Sequence, residues 1–356
     1  MRPEVLAKGV GVEEMELGAD DRILVTGATG MVGSHVAVRA RELGHQTRVI
    51  VRNREAAQWL SDQGIDVVVG DLTDAGSLSK ALADVTVVVH CAAKVGDWGP
   101  VEDYRDVNVR GLETLIDAAC ATGLLKRFVH MSSLGVYEAR DHHGTDETEP
   151  PSRVGIDGYT LTKVESEDLA MGRSDPETFP LVVLRPGFVY GPRDRNVLPR
   201  LIESLSAGKF KYLGTGEQLL NNIYISNLVD AVFLAISRDD VLGEAFNLTD
   251  ARLVSRREFM SSIARGADLP EPSKSVPLGV AKVLARLMES TWKMLGKQEA
   301  PLLSAARIKF LGLNLDFDIG KARRELGYEP VVDFSDGMAE TMQWYREHGQ
   351  VESSDV

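Results

Sequence analysis

Cysteine is scarce in this chain: Cys91 and Cys120 are the only two among 356 residues. One follows an apolar run and the other sits in the helical stretch LIDAAC, so both are expected as buried thiols of a reducing compartment. No Cys/His spacing suits zinc. The DHHG stretch at Asp141–Gly144 reads as a loop with no third ligand nearby in sequence, so no metal site is expected. Basic charge is also short, with 40 Lys and Arg against 53 Asp and Glu, a net charge of -13. That balance excludes a general nucleic-acid binder, which needs a basic face for phosphates. Long apolar runs are missing. No stretch of about 18 uncharged apolar residues is present, so no membrane span is expected. The amino terminus lacks the charged head, apolar run and cleavage site of a signal peptide. A cytoplasmic protein acting on a small molecule is the reading these absences leave.

What remains is a globular composition, 44% hydrophobic and 26% charged, enough for one large domain or a core domain with a smaller partner. Residues 1–20 read as a flexible or loosely docked leader. From residue 21 to 190, short β-branched runs alternate with amphipathic stretches: RILVTG then MVGSHVAVRARELG, QTRVIVR then REAAQWLSDQG, IDVVVGDL then AGSLSKALA, VTVVVHCAA then VNVRGLETLIDAACATG. RFVHMSS and FPLVVLRP follow. Such alternation predicts an α/β fold, a doubly wound parallel sheet with helices on both faces. Residues 223–249 return to that pattern. Residues 191–222 and 250–346 are expected to form a smaller, mostly helical substrate lobe, with 347–356 as a tail.

VTGATGMVGSH, Val25–His35, follows a strand and opens a helix, with Gly27, Gly30 and Gly33 spaced by three. Glycines there allow a tight turn and close approach of backbone N–H groups to a pyrophosphate, helped by the helix N-terminus. An NAD site usually places a carboxylate at the end of the second strand. Here Val51 and Arg52 stand there, with no acid until Glu55. Arg52, with Arg54, suits a 2′-phosphate through its planar fork, so NADP(H) is favoured and NAD(H) is the alternative. Asp71, followed by Leu72 in VGDL, is placed to accept from an adenine amino group. In HCAAK, Cys91, Ala92, Ala93 and Lys94 end the fourth strand, where small residues let the backbone pass close to a cofactor.

HMSSLGVY ends the fifth strand, on the sheet edge that opens into a ligand crevice. Ser132 and Ser133 are candidate partners of a carbonyl oxygen, or capping groups. Farther on, Tyr159 and Lys163 in GYTLTK stand one helical turn apart on one face. An ammonium beside a phenol favours phenolate and makes tyrosine a usable general acid or base.

With these residues in place the chain resembles the extended short-chain dehydrogenase/reductase family. The resemblance rests on TGATGMVG, GDL, HCAA, NVRGLETLIDAA, SSLGVY, YTLTK and LRPGFVYGPRD, in that order, across roughly residues 21–346. It implies hydride transfer between a nicotinamide cofactor and a carbinol or carbonyl carbon. Tyr159 would exchange the oxygen's proton, Ser133 (with Ser132 as fallback) would hold that oxygen, and Lys163 would tune Tyr159 and bond the nicotinamide ribose. It further implies cofactor contacts from Thr29, Met31, Val32, Pro186 and Val189. Asn108 matches a recurrent asparagine that acts either in a structural hydrogen bond or in a proton relay. A homodimer is common in the family.

Three features bear on the branch. Val51–Arg52 suits a dissociable NADP(H) and net redox. Nucleotide-sugar members often carry an Arg-Asp pair where this chain has Leu220 and Asn221. AAKVGDWGPVEDYRDVN and DFDIGKARRELGYEP resemble the 3β-hydroxysteroid and sterol dehydrogenase branch. The leading expectation is an oxidoreductase of a secondary alcohol or ketone on a rather apolar substrate. A nucleotide-sugar epimerase or dehydratase comes second, and a non-catalytic dinucleotide sensor third. Finally, PLGVAKVLARLMESTWKMLGK puts Val280, Val283, Leu284, Leu287, Met288 and Leu295 near one helical face, with Lys282, Arg286, Lys293 and Lys297 elsewhere. Packing onto the substrate lobe is the plain reading of that face. A peripheral membrane helix beside an apolar pocket is the other.

Overall fold

A computed structural model describes residues 15, 17–18, 20–154, 157–297 and 299–348. The expected leader and tail therefore lie largely outside the described residues. Of the leader, Met15 and Leu17 pack against the core, and Met15 N donates to the Ser237 carbonyl over 2.7 Å.

Seven parallel strands form the central sheet: β1 (Arg22–Thr26), β2 (Gln46–Val51), β3 (Asp66–Val69), β4 (Val87–His90), β5 (Arg127–Met131), β6 (Leu181–Pro186) and β7 (Ala245–Leu248). Their spatial order is β3-β2-β1-β4-β5-β6-β7, every neighbouring pair parallel. The order reverses between β1 and β4, and the crevice outside the carboxyl ends of those strands is where such sheets bind ligands.

The helices are α1 (Met31–Glu42), α2 (Gln58–Asp62), α3 (Ala75–Ala81), α4 (Val101–Arg105), α5 (Gly111–Ala121), α6 (Gly158–Arg173), α7 (Val197–Ser206), α8 (Ile225–Ser237), α9 (Arg256–Gly266), α10 (Leu278–Met294), α11 (Ala305–Gly312) and α12 (Phe334–His348). Both sheet faces are covered, which is why the strands read as unbroken apolar runs. In β4, Val87 and Val89 face α1 and α8, with Val36, Ala37, Leu228 and Val232. Val88 points the other way, to Leu78 of α3 and Leu112 and Leu115 of α5. Ala170 places α6 on that second face.

Away from the sheet, short paired strands and α9–α12 make the smaller, mostly helical part. One of its segments reaches back to the region after β5. The strand Leu315–Phe317 pairs with His142–Thr145, and Leu315 and Phe317 cluster with Leu134, Val136, Tyr137 and Val164. DHHG is thus strand rather than the expected loop, since its partner is supplied from the far end of the chain. The His142 imidazole lies 2.9 Å from Thr145 Oγ1 and 3.0 Å from the Glu138 carbonyl.

Candidate active site

Gly27 has φ +69, and a Cβ there would sit 2.7 Å from Ala92 N. A Cβ on Gly33 would meet the Gly27 carbonyl oxygen at 2.4 Å. The β1–α1 turn is therefore pressed against both its own helix and the chain leaving β4. Thr26 fastens the same junction: its hydroxyl accepts from Ala92 N at 3.1 Å and lies 2.9 Å from His90 Nδ1. Burial, then the Lys163 charge, pushes the His90 imidazole down to about 3. It stays neutral and can accept the Thr26 proton. α1 starts at Gly30 with no side-chain cap and no acid in its first turn. Its N-terminus keeps the anion-binding character that a pyrophosphate uses. This cradle, which no side chain could share, fits a dinucleotide.

Around it, Arg52 is exposed at the end of β2, its charge close enough to Asp71 to contribute to lowering that carboxyl; hydrogen bonds from Thr73 are the larger cause. Arg54 instead donates to the Val67 carbonyl at 3.0 Å, leaving Arg52 as the cation of the pair for a ligand. Asp71 accepts from Thr73 N at 2.9 Å, and Leu72 packs into the core under α5. Val32 likewise packs inward, and burial pushes the Cys91 thiol up to about 12. Lys94 turns its ammonium to Asp103 at 2.9 Å.

Ser133 and Tyr159 meet in a cleft of about 480 Å³ that also includes Thr29, Gly30, Met31 and Val189. Ser133 Oγ accepts from Gly135 N at 2.9 Å and lies close enough to the Tyr159 hydroxyl to oppose the rise of its pKa. Ser132 is spent elsewhere: its hydroxyl donates to Glu167, which is buried and paired with Arg185. Of the two serines, Ser133 is the one that lines the cleft. Asp157 caps α6, accepting from Thr160 N at 2.7 Å, and so fixes where Tyr159 enters the cleft.

Burial pushes the Tyr159 phenol up to about 12, opposed by Ser133 and reinforced by Asp157. Lys163 is buried and its ammonium donates to the Met131 carbonyl at 2.7 Å. Burial also pulls Lys163 down to about 8, against the pull of Cys91 and Glu167. Its charge is thus present below about 8 and lost as pH rises through that value. Whichever step needs the ammonium should weaken on that alkaline limb. A kcat/KM profile that stays flat through that range would contradict the assignment.

Asn108 resolves toward structure. It is buried in a wide turn, Asp106–Arg110, takes a hydrogen bond from Lys94 N at 2.7 Å, and donates to Thr162 Oγ1 at 2.9 Å. It ties the loop after β4 to the helix that carries Tyr159. Pro186 closes β6, directly before the cleft residues Gly187 and Phe188.

Several cleft residues had no local signal. Lys309 of α11 donates to the Gly135 and Tyr137 carbonyls at 2.8 and 2.7 Å, bracing the turn after Ser133. Val95, Phe188, Phe310 and Phe317 give the cleft an apolar wall. Arg193 stacks 4.5 Å over the Trp59 ring. At the rim Asp97 accepts from Arg307 of α11 at 2.7 Å, and Trp98 Nε1 donates to the Lys297 carbonyl at 2.9 Å. Among the described residues no cluster of His, Cys, Asp and Glu could hold a metal ion.

Residues 23–249 match the NAD dependent epimerase/dehydratase family. The chain belongs to that family. It is 31% identical, over 89% of its length and 94% of the relative's, to a 4-hydroxy-2-methyl-3-oxo-4-farnesyl-3,4-dihydroquinoline-1-oxide ketoreductase of Stigmatella aurantiaca. It is 30% identical, over 91% of each chain, to a 3-beta-hydroxysteroid dehydrogenase of Mycolicibacterium neoaurum. Among solved structures, gox2253 superposes with a TM-score of 0.76 at 27% identity, covering 93% of this chain and 99% of the other.

Proposed function

We propose that the protein is an NADP(H)-dependent oxidoreductase that reduces a ketone, or oxidises the corresponding secondary alcohol, on a largely apolar substrate. The observation that carries this is the meeting of the Ser133 and Tyr159 hydroxyls, in one apolar-walled cleft, with the Thr29–Met31 turn of the dinucleotide cradle. A bound nicotinamide supplies or takes the hydride. The chain's own part is proton handling. Tyr159, held as a phenol, gives its proton to the carbonyl oxygen in reduction and takes it back in oxidation. Ser133 holds the same oxygen by a hydrogen bond. Lys163, one turn along α6, keeps a positive charge close behind them.

The apolar wall, together with relatives named for farnesylated and steroid substrates, supports an apolar ketone over a nucleotide sugar. Leu220 and Asn221, at the positions where nucleotide-sugar members often carry an arginine and an aspartate, support the same choice. The test is to supply NADPH with a 3-ketosteroid and with a 2-alkyl-3-oxoalkanoate, and the oxidised cofactor with UDP-glucose. NADPH oxidation with either ketone is the expected result. Interconversion of the UDP-sugar with no net change in the oxidised cofactor, and no NADPH oxidation with the ketones, would replace this reading with the epimerase.

Arg52 carries the cofactor preference. A hydrogen bond to a charged group contributes about 1.5–3 kcal/mol, so Arg52→Glu should weaken NADPH binding roughly 10- to 100-fold. NADH binding should change little. Equal losses for the two cofactors, in a fluorescence titration, would take the 2′-phosphate away from Arg52.

A further inference from the structure

α10 does not bury its large apolar residues. Its buried positions are Ala281 and Ala285, packed with Leu213 and Ile308. Val280, Val283, Leu284, Leu287, Met294 and the adjacent Leu295 are between 43% and 79% exposed. At about 100° per residue these six fall within one stripe roughly 120° wide. The plain expectation, that this face packs onto the substrate lobe, is thereby overturned. Small residues suffice to seat the helix on α11, and the large ones face outward.

The charge of the helix is as unusual as its exposure. In a chain of net charge -13, α10 carries Lys282, Arg286 and Lys293 against the single acid Glu289, and Lys297 follows directly. Glu289 is occupied, accepting from Ala305 N at 2.7 Å. Lys282 and Arg286 form no ion pair among the described residues and, at the same turn of about 100° per residue, lie on the polar side of the helix, roughly 160° and 120° from the centre of the apolar stripe. Two tryptophans stand at the carboxyl end of the helix, with Lys293 6.0 Å over the Trp98 ring and Lys297 4.7 Å over that of Trp292.

We infer that α10 docks the protein on an anionic lipid surface, lying in the interface with its apolar stripe inserted and its long basic side chains reaching back to the headgroups. The net charge of the helix decides the occupant. A second copy placed on this face would bring two helices of net positive charge together, whereas an anionic surface complements that charge. Insertion stops at the interface, because no described helix is long and apolar enough to cross a membrane. Position gives the contact a use. The end of α10 is tied through Lys297 to Trp98, next to the cleft residues Val95–Asp97. The docked face therefore borders the mouth of the apolar cleft, where a lipid-dissolved substrate would be taken up.

The test needs neither cofactor nor substrate, so it stands or falls apart from the proposed activity. The full chain is sedimented with vesicles of phosphatidylcholine alone and with vesicles containing phosphatidylglycerol. Pelleting with the anionic vesicles, weakened by salt, is expected. It should be lost in Leu284→Glu/Leu287→Glu and reduced at least severalfold in Lys282→Glu/Arg286→Glu, whose circular dichroism should match wild type since all four side chains are exposed. Three results would each overturn the inference. One is wild type remaining in the supernatant with anionic vesicles, and another is pelleting unaffected by the paired variants. The third is a dimer in sedimentation velocity that Leu284→Glu/Leu287→Glu dissociates, which would assign the face to a second copy.

Discussion

Tyr159→Phe should reduce ketone turnover by about 10²- to 10⁴-fold, the range that general acid catalysis contributes. NADPH affinity should stay within a few-fold of wild type. The substitution removes one hydroxyl and leaves the ring that fills its place beside Thr160 and Asp157. The dinucleotide cradle is built from Gly27, Gly33, Thr26 and Ala92, and the substitution alters none of these. Ser133 keeps its bond from Gly135 N and still holds the carbonyl oxygen. It has no proton path to replace the phenol, so the loss should fall on kcat rather than on KM. Because Tyr159 is held as a phenol up to about 12, wild type has its donor in the correct state throughout the neutral range. A variant that retained more than about a tenth of wild-type turnover would show that another group delivers the proton.

The second large effect is on stability. Glu167 and Arg185 have 3% and 6% of their side chains exposed and are joined directly. Glu167 also accepts a hydrogen bond from the Ser132 hydroxyl, and Arg185 donates to the Tyr137 hydroxyl at 2.7 Å. Removing one member of a buried pair strands the other charge, a loss of about 3–5 kcal/mol. Glu167→Ala is expected to fall in that range in denaturant unfolding. Replacing both members by similar-sized apolar groups is often neutral, so Glu167→Met/Arg185→Met should recover a large part of the loss. If the double variant is as unstable as Glu167→Ala, the loss comes from packing and not from the stranded guanidinium. The same pair occupies the Ser132 hydroxyl, whereas Ser133 lines the cleft.

The parallel sheet was legible because its strands are buried on both faces and its helices follow at regular intervals. VTVVVH could hardly be anything but an interior strand. The Gly27–Gly33 turn was legible for a similar reason: strand, glycines and helix are contiguous. Tyr159 and Lys163 were legible as a pair, but not what the lysine does. Helical spacing puts both residues on one face of α6. It does not say that a carbonyl at the end of β5 will take the ammonium first. Ser133 against Ser132 needed Glu167, which belongs to another element. Lys309 and Phe310 left no trace near the catalytic motifs, because α11 reaches the cleft only after the chain has built the whole sheet. α10 was misjudged for the opposite reason. Periodicity reports which residues share a face, and burial has to say whether anything covers that face.

The Asp97–Arg307 contact at the rim joins the loop after β4 to α11, and its side chains are 31% and 32% exposed. A half-wet ion pair of this kind contributes only about 0–1 kcal/mol, no more than a small multiple of thermal energy. It is a weak contact in a seam that the Lys309 bonds and the Leu315–Phe317 pairing otherwise hold. Added salt loosens it further, since screening acts on exposed charges first. Release of a bulky product should therefore depend little on this contact and more on the apolar wall it leaves.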